Sequence, residues 1–411
     1  MDRTILHCDM NNFYASVECV LNPAIKDKPV AVCGSEEERH GIVLAKNYIA
    51  KDFGVKTGDA IWQAKRKCKD IIIIDNPHFD KYATYSNKAK KIYQRFTDEI
   101  EPMGLDECWL DVTNSRRLFG SGKKIADTLR ETIKNELGLT ISVGVSFNKT
   151  FAKLGSDMKK PDATTVITKK NFKEIVWPLS VSDLFGVGRR TAKVLENNHI
   201  KTIGDLAEEK EERLYHLFGK NGISLYEKAN GLENDEVPKY DELDEVKTIS
   251  HGITTVKDMQ NDNEVWKTML MLTQEIAFKL REKNLRAGGI SISIRDADLM
   301  WQQYRRKLGT TEQSAINIAK EAFKLFKEKY DWYKPVRNIT IGTMYLVSEK
   351  APQEISIFDH MQNKDKVEKA EKAMEDLNKK YGGEIVKAAT LLEKNNSPKN
   401  RRMIKYNDEK D

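Results

Sequence analysis

Three carboxylates from two separate segments constrain the fold of this chain most strongly. Residues 4–8 (TILHC) are mostly apolar and predict a buried strand, at whose end Asp9 follows. Residues 104–112 (GLDECWLDV) predict a second strand, which opens at a glycine and carries Asp106 and Glu107. Because successive strand side chains point to opposite faces, these two carboxylates reach one site only from a turn or bulge, which the glycine permits. Acidic oxygens from two segments can hold a pair of divalent cations, an arrangement typical of phosphoryl transfer.

An aromatic pair, Phe13 and Tyr14, closely follows the first carboxylate. A ring beside a phosphoryl-transfer site would contact a nucleotide sugar, and alternation indicates that at most one of the two rings faces the site. Simpler interpretations stay open at this point: ordinary core aromatics for the pair, and the acidic turn of a surface hairpin for Asp106 and Glu107.

The length and the charge distribution indicate several domains and a nucleic-acid surface. A chain of 411 residues exceeds one ordinary core. Its net charge of +6 is unevenly placed: residues 247–350 carry 18 Lys/Arg against 12 Asp/Glu, whereas residues 233–246 carry seven acids and one lysine. Uneven basic charge is typical of nucleic-acid binding, although solvated helix faces produce the same pattern.

The cysteines argue against a disulfide framework and against a structural zinc site. The chain has five, with no Cys-x-x-Cys pair. Its N-terminus has no apolar signal region, and no apolar run approaches membrane-spanning length. We therefore expect a cytoplasmic protein with no membrane partner.

Four segments resemble, in order and spacing, the sequence motifs of the Y-family translesion DNA polymerases. They are residues 9–18 (DMNNFYASVE), 47–55 (NYIAKDFGV), 105–113 (LDECWLDVT) and 142–150 (SVGVSFNKT), the last followed by Ala152-Lys153 and Lys160-Pro161. The resemblance runs from residue 3 to about 345. It is greatest with the bacterial DNA polymerase IV branch.

The resemblance implies a multidomain fold of α/β and α+β parts, arranged as a right-hand polymerase. The palm would be a ferredoxin-like mixed sheet, the fingers small, the thumb helical with a helix-hairpin-helix element, and the little finger an α+β unit. The expected boundaries are palm 1–12 and 78–168, fingers 13–77, thumb 169–232, linker 233–246, little finger 247–348 and C-terminal tail 349–411. The linker assignment also follows from Pro238 and from the lack of an apolar period.

A glycine hairpin in the expected thumb is a candidate DNA contact. Residues 184–192 (LFGVGRRTA) resemble a helix-hairpin-helix element, in which Gly186 and Gly188 let backbone N–H groups approach a phosphate beside Arg189. Residues 217–222 (LFGKNG) are interpreted as a second copy. A Gly-x-Gly hairpin also occurs for purely structural reasons.

The expected little finger alternates strands and helices. Segments 248–250, 289–295 and 338–343 alternate with period two, and helical stretches 263–284 and 311–330 separate them. We expect Arg295, Arg305 and Arg306 to contact DNA phosphates, with plain surface charge as the alternative.

The activity implied by the resemblance is DNA-template-directed DNA synthesis. A primer 3′-hydroxyl would attack the α-phosphate of a dNTP and release pyrophosphate. Asp9 and Asp106 would hold both Mg²⁺ ions, Glu107 the ion that activates the hydroxyl, and the Met10 backbone carbonyl would add a ligand to the nucleotide-side ion. The partners would be primer-template DNA and dNTPs, and the protein a monomer.

Further residues fall on the family's nucleotide-binding positions. Tyr48, Lys51 and Lys160 would bind the triphosphate. Lys51 departs from the arginine usual in polymerase IV, and lysine cannot fork onto two phosphate oxygens. Asn11 stands where that branch usually has a second aspartate; because Asp9 is retained, we expect this departure to be harmless.

The same alignment implies how the sugar and the base pair are contacted. Tyr14 would be the steric gate against a 2′-hydroxyl, with Phe13 packed beside it. Val43 and Leu44 would roof the nascent base pair. We expect no proofreading exonuclease, and by resemblance an open, damage-tolerant, low-fidelity site.

The tail carries a segment that resembles the bacterial sliding-clamp-binding motif. Residues 353–359 (QEISIFD) offer Gln353, Ile355, Ile357 and Phe358 as a glutamine followed by apolar anchors, with isoleucine where leucine is more usual at the second anchor. A charged helical stretch follows from about 364 to 380. The alternative is a strand that packs the tail onto the little finger.

Two rival functions share parts of this pattern. A nucleotide cyclase on a related palm would share the carboxylates, but it needs neither the helix-hairpin-helix element nor the basic C-terminal domain. A non-catalytic, clamp-tethered DNA-binding adaptor would be favoured by loss of Asp9 or Asp106, and both are present.

Overall fold

The computed structural model describes residues 2–36, 39, 41–242, 246–352, 361–381, 385–386 and 389–391. These residues divide into two compact units. The first contains the described residues up to 34 and from 42 to 242, and the second contains the rest. Each unit has a hydrophobic core of its own. The segment interpreted as clamp-binding, 353–359, lies outside the described residues.

The first unit contains eight strands and twelve α-helices among its described residues. The strands are β1 Ile5–Met10, β2 Val30–Cys33, β3 Val43–Lys46, β4 Ile72–Ile74, β5 Ile100–Met103, β6 Glu107–Asp111, β7 Ile141–Ser146 and β8 Thr164–Val166. The helices are α1 Phe13–Leu21, α2 Tyr48–Asp52, α3 Ile61–Lys67, α4 Phe79–Tyr93, α5 Arg116–Phe119, α6 Gly122–Leu137, α7 Lys149–Met158, α8 Phe172–Val176, α9 Arg189–Asn197, α10 Ile203–Glu208, α11 Glu211–Phe218 and α12 Lys220–Ala229.

A five-stranded sheet in the order β5-β6-β1-β7-β8 forms the centre of the first unit. The middle strand, β1, pairs antiparallel with both neighbours, and all six of its residues are buried. Its two faces meet different helices, because side chains alternate along a strand. Leu6 and Cys8 pack into the core that α4 and α6 supply. On the other face, Ile5 packs with Ala152 of α7, so Asp9 shares the α7 face of the sheet.

A second, smaller sheet has the order β3-β2-β4 and a core of its own with α2 and α3. It corresponds to most of the expected fingers. The first helix of the expected fingers, α1, packs on the other sheet. Its residues Phe13, Ala15 and Val17 are buried in the core of the central sheet. The helix therefore connects the two sheets by packing as well as by sequence.

The helices from α8 to α12 enclose a separate apolar cluster. Phe151 of α7 belongs to this cluster, so the helical part packs on the central sheet. Gly186 and Gly219 have φ values of +100° and +62°, which L-residues with a side chain rarely adopt. The two predicted glycine hairpins are thus real turns between helices.

The acidic segment that begins at residue 233, expected to be a linker, is bound to the central sheet over residues 233–240. Val237 is buried against Trp109. The Arg3 guanidinium donates to the backbone oxygen of Asp235 at 3.0 Å. These contacts use one apolar side chain and backbone carbonyls, which an acidic composition does not reveal.

The second unit is an α+β domain, as predicted. Its strands are β9 Ile249–Met259, β10 Leu285–Asp296, β11 Trp301–Glu312 and β12 Val336–Ser348, and its helices are α13 Asp262–Glu282, α14 Ala315–Lys329 and α15 Met361–Tyr381. The sheet is antiparallel in the order β11-β10-β12-β9. Helices α13 and α14 cover one face through a core that includes Ile290, Ile292, Ile339 and Ile341.

The edge strand β11 is absent from the sequence-based prediction. Exposed and half-buried side chains alternate along most of it, and charged residues lie on both of its faces. The apolar alternation that identifies a half-buried strand is therefore missing. The three strands that were predicted are present and longer than expected.

Helix α15 packs on the second unit through acidic side chains. A Glu371 carboxylate oxygen accepts the Ala315 N–H at 2.9 Å at the start of α14, where a negative charge is favourable. Glu371 also pairs with Arg281 at 3.2 Å, and Glu368 pairs with Arg286 at 2.7 Å. Both arginine side chains are largely buried. None of the helices in the described ranges is long and apolar enough to cross a membrane.

The close approach of α7 to the central sheet gives a stability prediction. A Cβ added at Gly144 would lie 1.8 Å from the Ala152 carbonyl oxygen, so backbone must move. We expect Gly144→Ala to lower the free energy of unfolding by about 3 kcal/mol. Gly309→Ala is the matched control, because a Cβ there meets nothing within 4 Å, and it should change stability by less than about 0.5 kcal/mol. Denaturant unfolding measures both, and equal effects would contradict the packing argument.

Candidate active site

Strand pairing brings the three predicted carboxylates together. Asp9 of β1 lies directly opposite Glu107 of β6. The Met10 N–H donates to the Asp106 carbonyl oxygen at 3.0 Å. Gly104, with φ of +79°, makes the β5–β6 turn that carries Asp106. The hairpin expected from the sequence is therefore present, and it places one carboxylate in the turn and the next at the start of β6.

Burial leaves two of these carboxylates short of compensating positive charge. It raises the pKa of Asp9 to about 6, although the Lys160 ammonium, 2.7 Å from an Asp9 oxygen, opposes this. Burial and the nearby Glu107 charge also raise the pKa of Asp106. A further cation at this position would stabilise the ionised form of both groups.

Glu107, unlike the other two carboxylates, contacts His7 and Lys153, and neither residue was predicted to do so. Burial raises its pKa, but contacts with His7 and Lys153 outweigh that effect and bring the value to about 2. His7 Nε2 lies 3.5 Å from a Glu107 oxygen, and its Nδ1 lies 2.8 Å from Ser156 Oγ. His7 is two residues before Asp9 on the same strand face, so strand alternation alone could have identified it.

The oxygen atoms of these three carboxylates are chemically suited to bind a divalent cation. Carboxylate oxygens from two segments are the ligands that Mg²⁺ prefers. Burial raises the pKa of both Asp9 and Asp106, and a bound cation would favour their ionised forms. Among the described residues no three His, Cys, Asp or Glu side chains already form a coordination cluster. Glu107 is paired with Lys153 instead, and Asp9 with Lys160.

Two of the three predicted triphosphate ligands approach this centre. The Tyr48 hydroxyl lies near enough for the charges of Lys160 and Asp9 to affect it, and burial raises its pKa. Lys51 lies one turn further along α2, with its ammonium 5.5 Å from the centre of the Tyr48 ring. Lys160 pairs with both Asp9 and Asp157.

The structure separates the two predicted aromatic residues. Phe13 is buried in the core of the central sheet, and Tyr14 is only half-buried. The Tyr14 ring stacks on Tyr82 with centroids 4.4 Å apart and packs edge-on against Phe79. Tyr14 is thus the one ring of the pair that can line the site.

The predicted base-pair roof is corrected in part. Val43 is fully buried in the core of the small sheet and cannot contact a base. Its neighbour Leu44 points to the other face, because β3 alternates, and is half-buried. Only Leu44 remains a candidate for that contact.

The candidate DNA contacts lie in both units. In the first, Gly186, Gly188 and Arg189 are exposed at the start of α9. In the second, Arg295 and Arg305 lie on the face of the sheet opposite to α13 and α14. Arg306 occupies the helical face and pairs with Glu328 of α14. Of the three arginines expected to contact DNA phosphates, Arg306 therefore lies on a different face from the other two.

Comparisons with known proteins agree with this architecture. The chain matches the impB/mucB/samB family over residues 8–157, the IMS family HHH motif over 169–200 and the impB/mucB/samB family C-terminal domain over 246–356. DNA polymerase IV of Acetivibrio thermocellus is 45% identical over 395 residues, which cover 96% of this chain and 98% of the relative. DNA polymerase IV 1 of Bacillus subtilis is 38% identical over 404 residues, with coverage of 96% and 94%.

A solved structure gives the same result. The Y-family DNA polymerase chimera Dbh-Dpo4(243-245)-Dbh superposes with a TM-score of 0.75 at 25% identity, covering 84% of this chain and 99% of the chimera. Since relatives of this similarity extend over nearly its whole length, the chain belongs to the impB/mucB/samB family of Y-family DNA polymerases and, within it, to the bacterial polymerase IV type.

Proposed function

We propose that Asp9, Asp106 and Glu107 form the centre at which this chain, a translesion DNA-directed DNA polymerase, extends a primer. The observation that carries this assignment is the pairing of β1 with the β5–β6 hairpin, which joins the three carboxylates from two segments. The primer 3′-hydroxyl attacks the α-phosphate of a dNTP, the α–β phosphoanhydride bond breaks, and pyrophosphate leaves.

Polymerases of this family use divalent metal ions, and we infer two Mg²⁺ ions here. Asp9 and Asp106 would hold both, Glu107 one, and the Met10 carbonyl oxygen would add a neutral ligand. Bound at these oxygens, the ions supply the positive charge that lowers the pKa of the primer hydroxyl and neutralises the leaving phosphates. Lys153 and His7 keep Glu107 ionised until then.

Lys160, Lys51 and Tyr48 are proposed to bind the triphosphate. Lys160 already compensates Asp9 and Asp157, so its ammonium can pass to phosphate oxygens once a cation takes over that compensation. As a lysine, Lys51 gives a point charge instead of the two parallel bonds of an arginine. Tyr48 contributes a hydroxyl beside Lys160.

We further propose the domain assignment expected from the sequence. The central sheet serves as palm, the small sheet as fingers, α8 to α12 as thumb and the second unit as little finger. The thumb hairpin at Gly186 and Gly188, with Arg189, and the open sheet face with Arg295 and Arg305 would contact DNA phosphates. The proposal includes low-fidelity synthesis without proofreading.

The carboxylate assignment predicts loss of activity without loss of DNA binding. Asp9→Ala and Asp106→Ala should each reduce primer extension at least a thousandfold, while primer-template affinity stays within about threefold because basic surfaces elsewhere bind the DNA. Primer extension and fluorescence anisotropy measure the two quantities. Near-wild-type extension by Asp106→Ala would overturn the site.

The ion pair between Lys153 and Glu107 leads to a second prediction about activity, for which the same helix offers a control variant. Lys153→Met removes the ammonium that holds Glu107, and we expect incorporation to fall about tenfold or more. Lys149→Met is matched in type, burial and helix, and its ammonium pairs with Glu101, 2.6 Å away. It should change incorporation by less than threefold. Equal losses in both variants would show that Lys153 acts only on stability.

The position of Tyr14 predicts a change in sugar selection. Without the ring, nothing excludes a 2′-hydroxyl, so Tyr14→Ala should raise the rNTP-to-dNTP ratio of kcat/KM by about 100-fold or more. A tyrosine that is only structural would lower both values together. An unchanged ratio would reject the steric gate.

We propose that residues 353–359 bind the sliding clamp and that the enzyme is otherwise a monomer. The support is the motif itself, with Gln353, Ile355, Ile357 and Phe358 as the contacts. Ile357→Ala combined with Phe358→Ala should abolish clamp-stimulated synthesis, while clamp-free synthesis and thermal stability hold. Lower stability with persisting stimulation would instead assign the segment a structural role.

A further inference from the structure

The side chain of Asn11 joins the two segments that carry Asp9 and Lys160. It is almost completely buried, with 2% exposure. Its Oδ1 accepts the backbone N–H of Asp162 at 3.0 Å, and its Nδ2 donates to the hydroxyl of the buried Ser142 at 3.0 Å. A backbone N–H can only donate, so the atom that faces Asp162 must be the amide oxygen.

One hydrogen bond and one ion pair join these two segments of the proposed site at both ends. Asp9 precedes Asn11 by two residues, and Lys160 precedes Asp162 by two. The Asn11–Asp162 hydrogen bond joins one end of each segment, and the Asp9–Lys160 ion pair, 2.7 Å long, joins the other. The backbone that carries Lys160 is therefore tied to the end of β1, and the Lys160 ammonium pairs with Asp9 of the same strand.

Asp162 is anchored independently of Asn11. Its carboxylate accepts from Arg130 Nη2 at 2.8 Å and pairs with Lys134 at 3.1 Å, both on α6. Its φ of +52° is uncommon for a residue with a side chain. To these contacts from α6, Asn11 adds one from the end of β1, the strand that carries Asp9.

We propose that Asn11 is a positioning residue that holds the Lys160 loop in register with Asp9, so that Lys160 is preset to receive the dNTP triphosphate. The inference rests on the proposed function, in particular on triphosphate binding by Lys160. In the proposed reaction, Asn11 contacts no reacting atom. Its effect should appear in the KM for dNTP and leave kcat almost unchanged, because the bond orders a binding group before the nucleotide arrives.

A set of variants separates the two bonds of the amide. Asn11→Leu removes both, and we expect the dNTP KM to rise about tenfold with kcat within threefold. Asn11→Asp keeps an acceptor for the Asp162 N–H, and the Ser142 hydroxyl can turn to donate, so KM should stay within about threefold. Ser142→Ala removes only the Ser142 bond and should leave KM nearly unchanged. If Asn11→Leu loses thermal stability, Asn11→Ser, whose shorter side chain does not reach Asp162, replaces it.

A double-mutant cycle with Lys160→Ala decides whether Asn11 acts through the lysine. Lys160→Ala alone should raise the dNTP KM, and adding Asn11→Leu should then raise it no further. Equal KM factors for Asn11→Leu in the two backgrounds, or no KM change in Asn11→Leu, would overturn the inference. A Lys160→Ala variant with unchanged KM would remove the triphosphate role of Lys160 and the inference with it, whereas failure of the carboxylate site would appear separately, as near-wild-type extension by Asp106→Ala.

Discussion

The antiparallel register between β1 and β6 is the constraint on which the proposed site depends. It sets Asp9 opposite Glu107 and lets the Met10 N–H bond to Asp106. A slip of one residue would turn Asp9 to the α4 and α6 face and bury it among apolar side chains. The apolar residues at alternate positions of β1 therefore determine which face Asp9 occupies. One face of the strand packs against α4 and α6, and the other packs against α7.

The same sheet has to tolerate three carboxylates in a largely buried place. Two lysines from the segment that follows β7 compensate this negative charge. Lys153 lies within α7, and Lys160 lies just beyond its end. One helix and its end therefore stabilise the site electrostatically, while Gly144 allows that helix to lie directly on β7. The contact of α7 with the sheet links fold stability to the charge state of the carboxylates.

The sequence was informative where local chemistry leaves a pattern. The glycine before Asp106 predicted the turn, and the ordered motifs predicted the family, which the comparisons confirm. Contacts between distant segments left no such pattern: Val237 on Trp109, Glu328 beside Arg306, and Asn11 on Asp162. Val43 was misassigned because a pair of apolar residues on a strand does not show which one faces inward. Strand β11 was missed because its polar residues lie on both faces.

Charged side chains attach α15 to the rest of the second unit. Glu371 pairs with Arg281 of α13, and Glu368 pairs with Arg286 of β10. Both arginine side chains are largely buried. Salt screens buried ion pairs much less than surface pairs, so the attachment of α15 depends less on ionic strength than pairs between exposed side chains would.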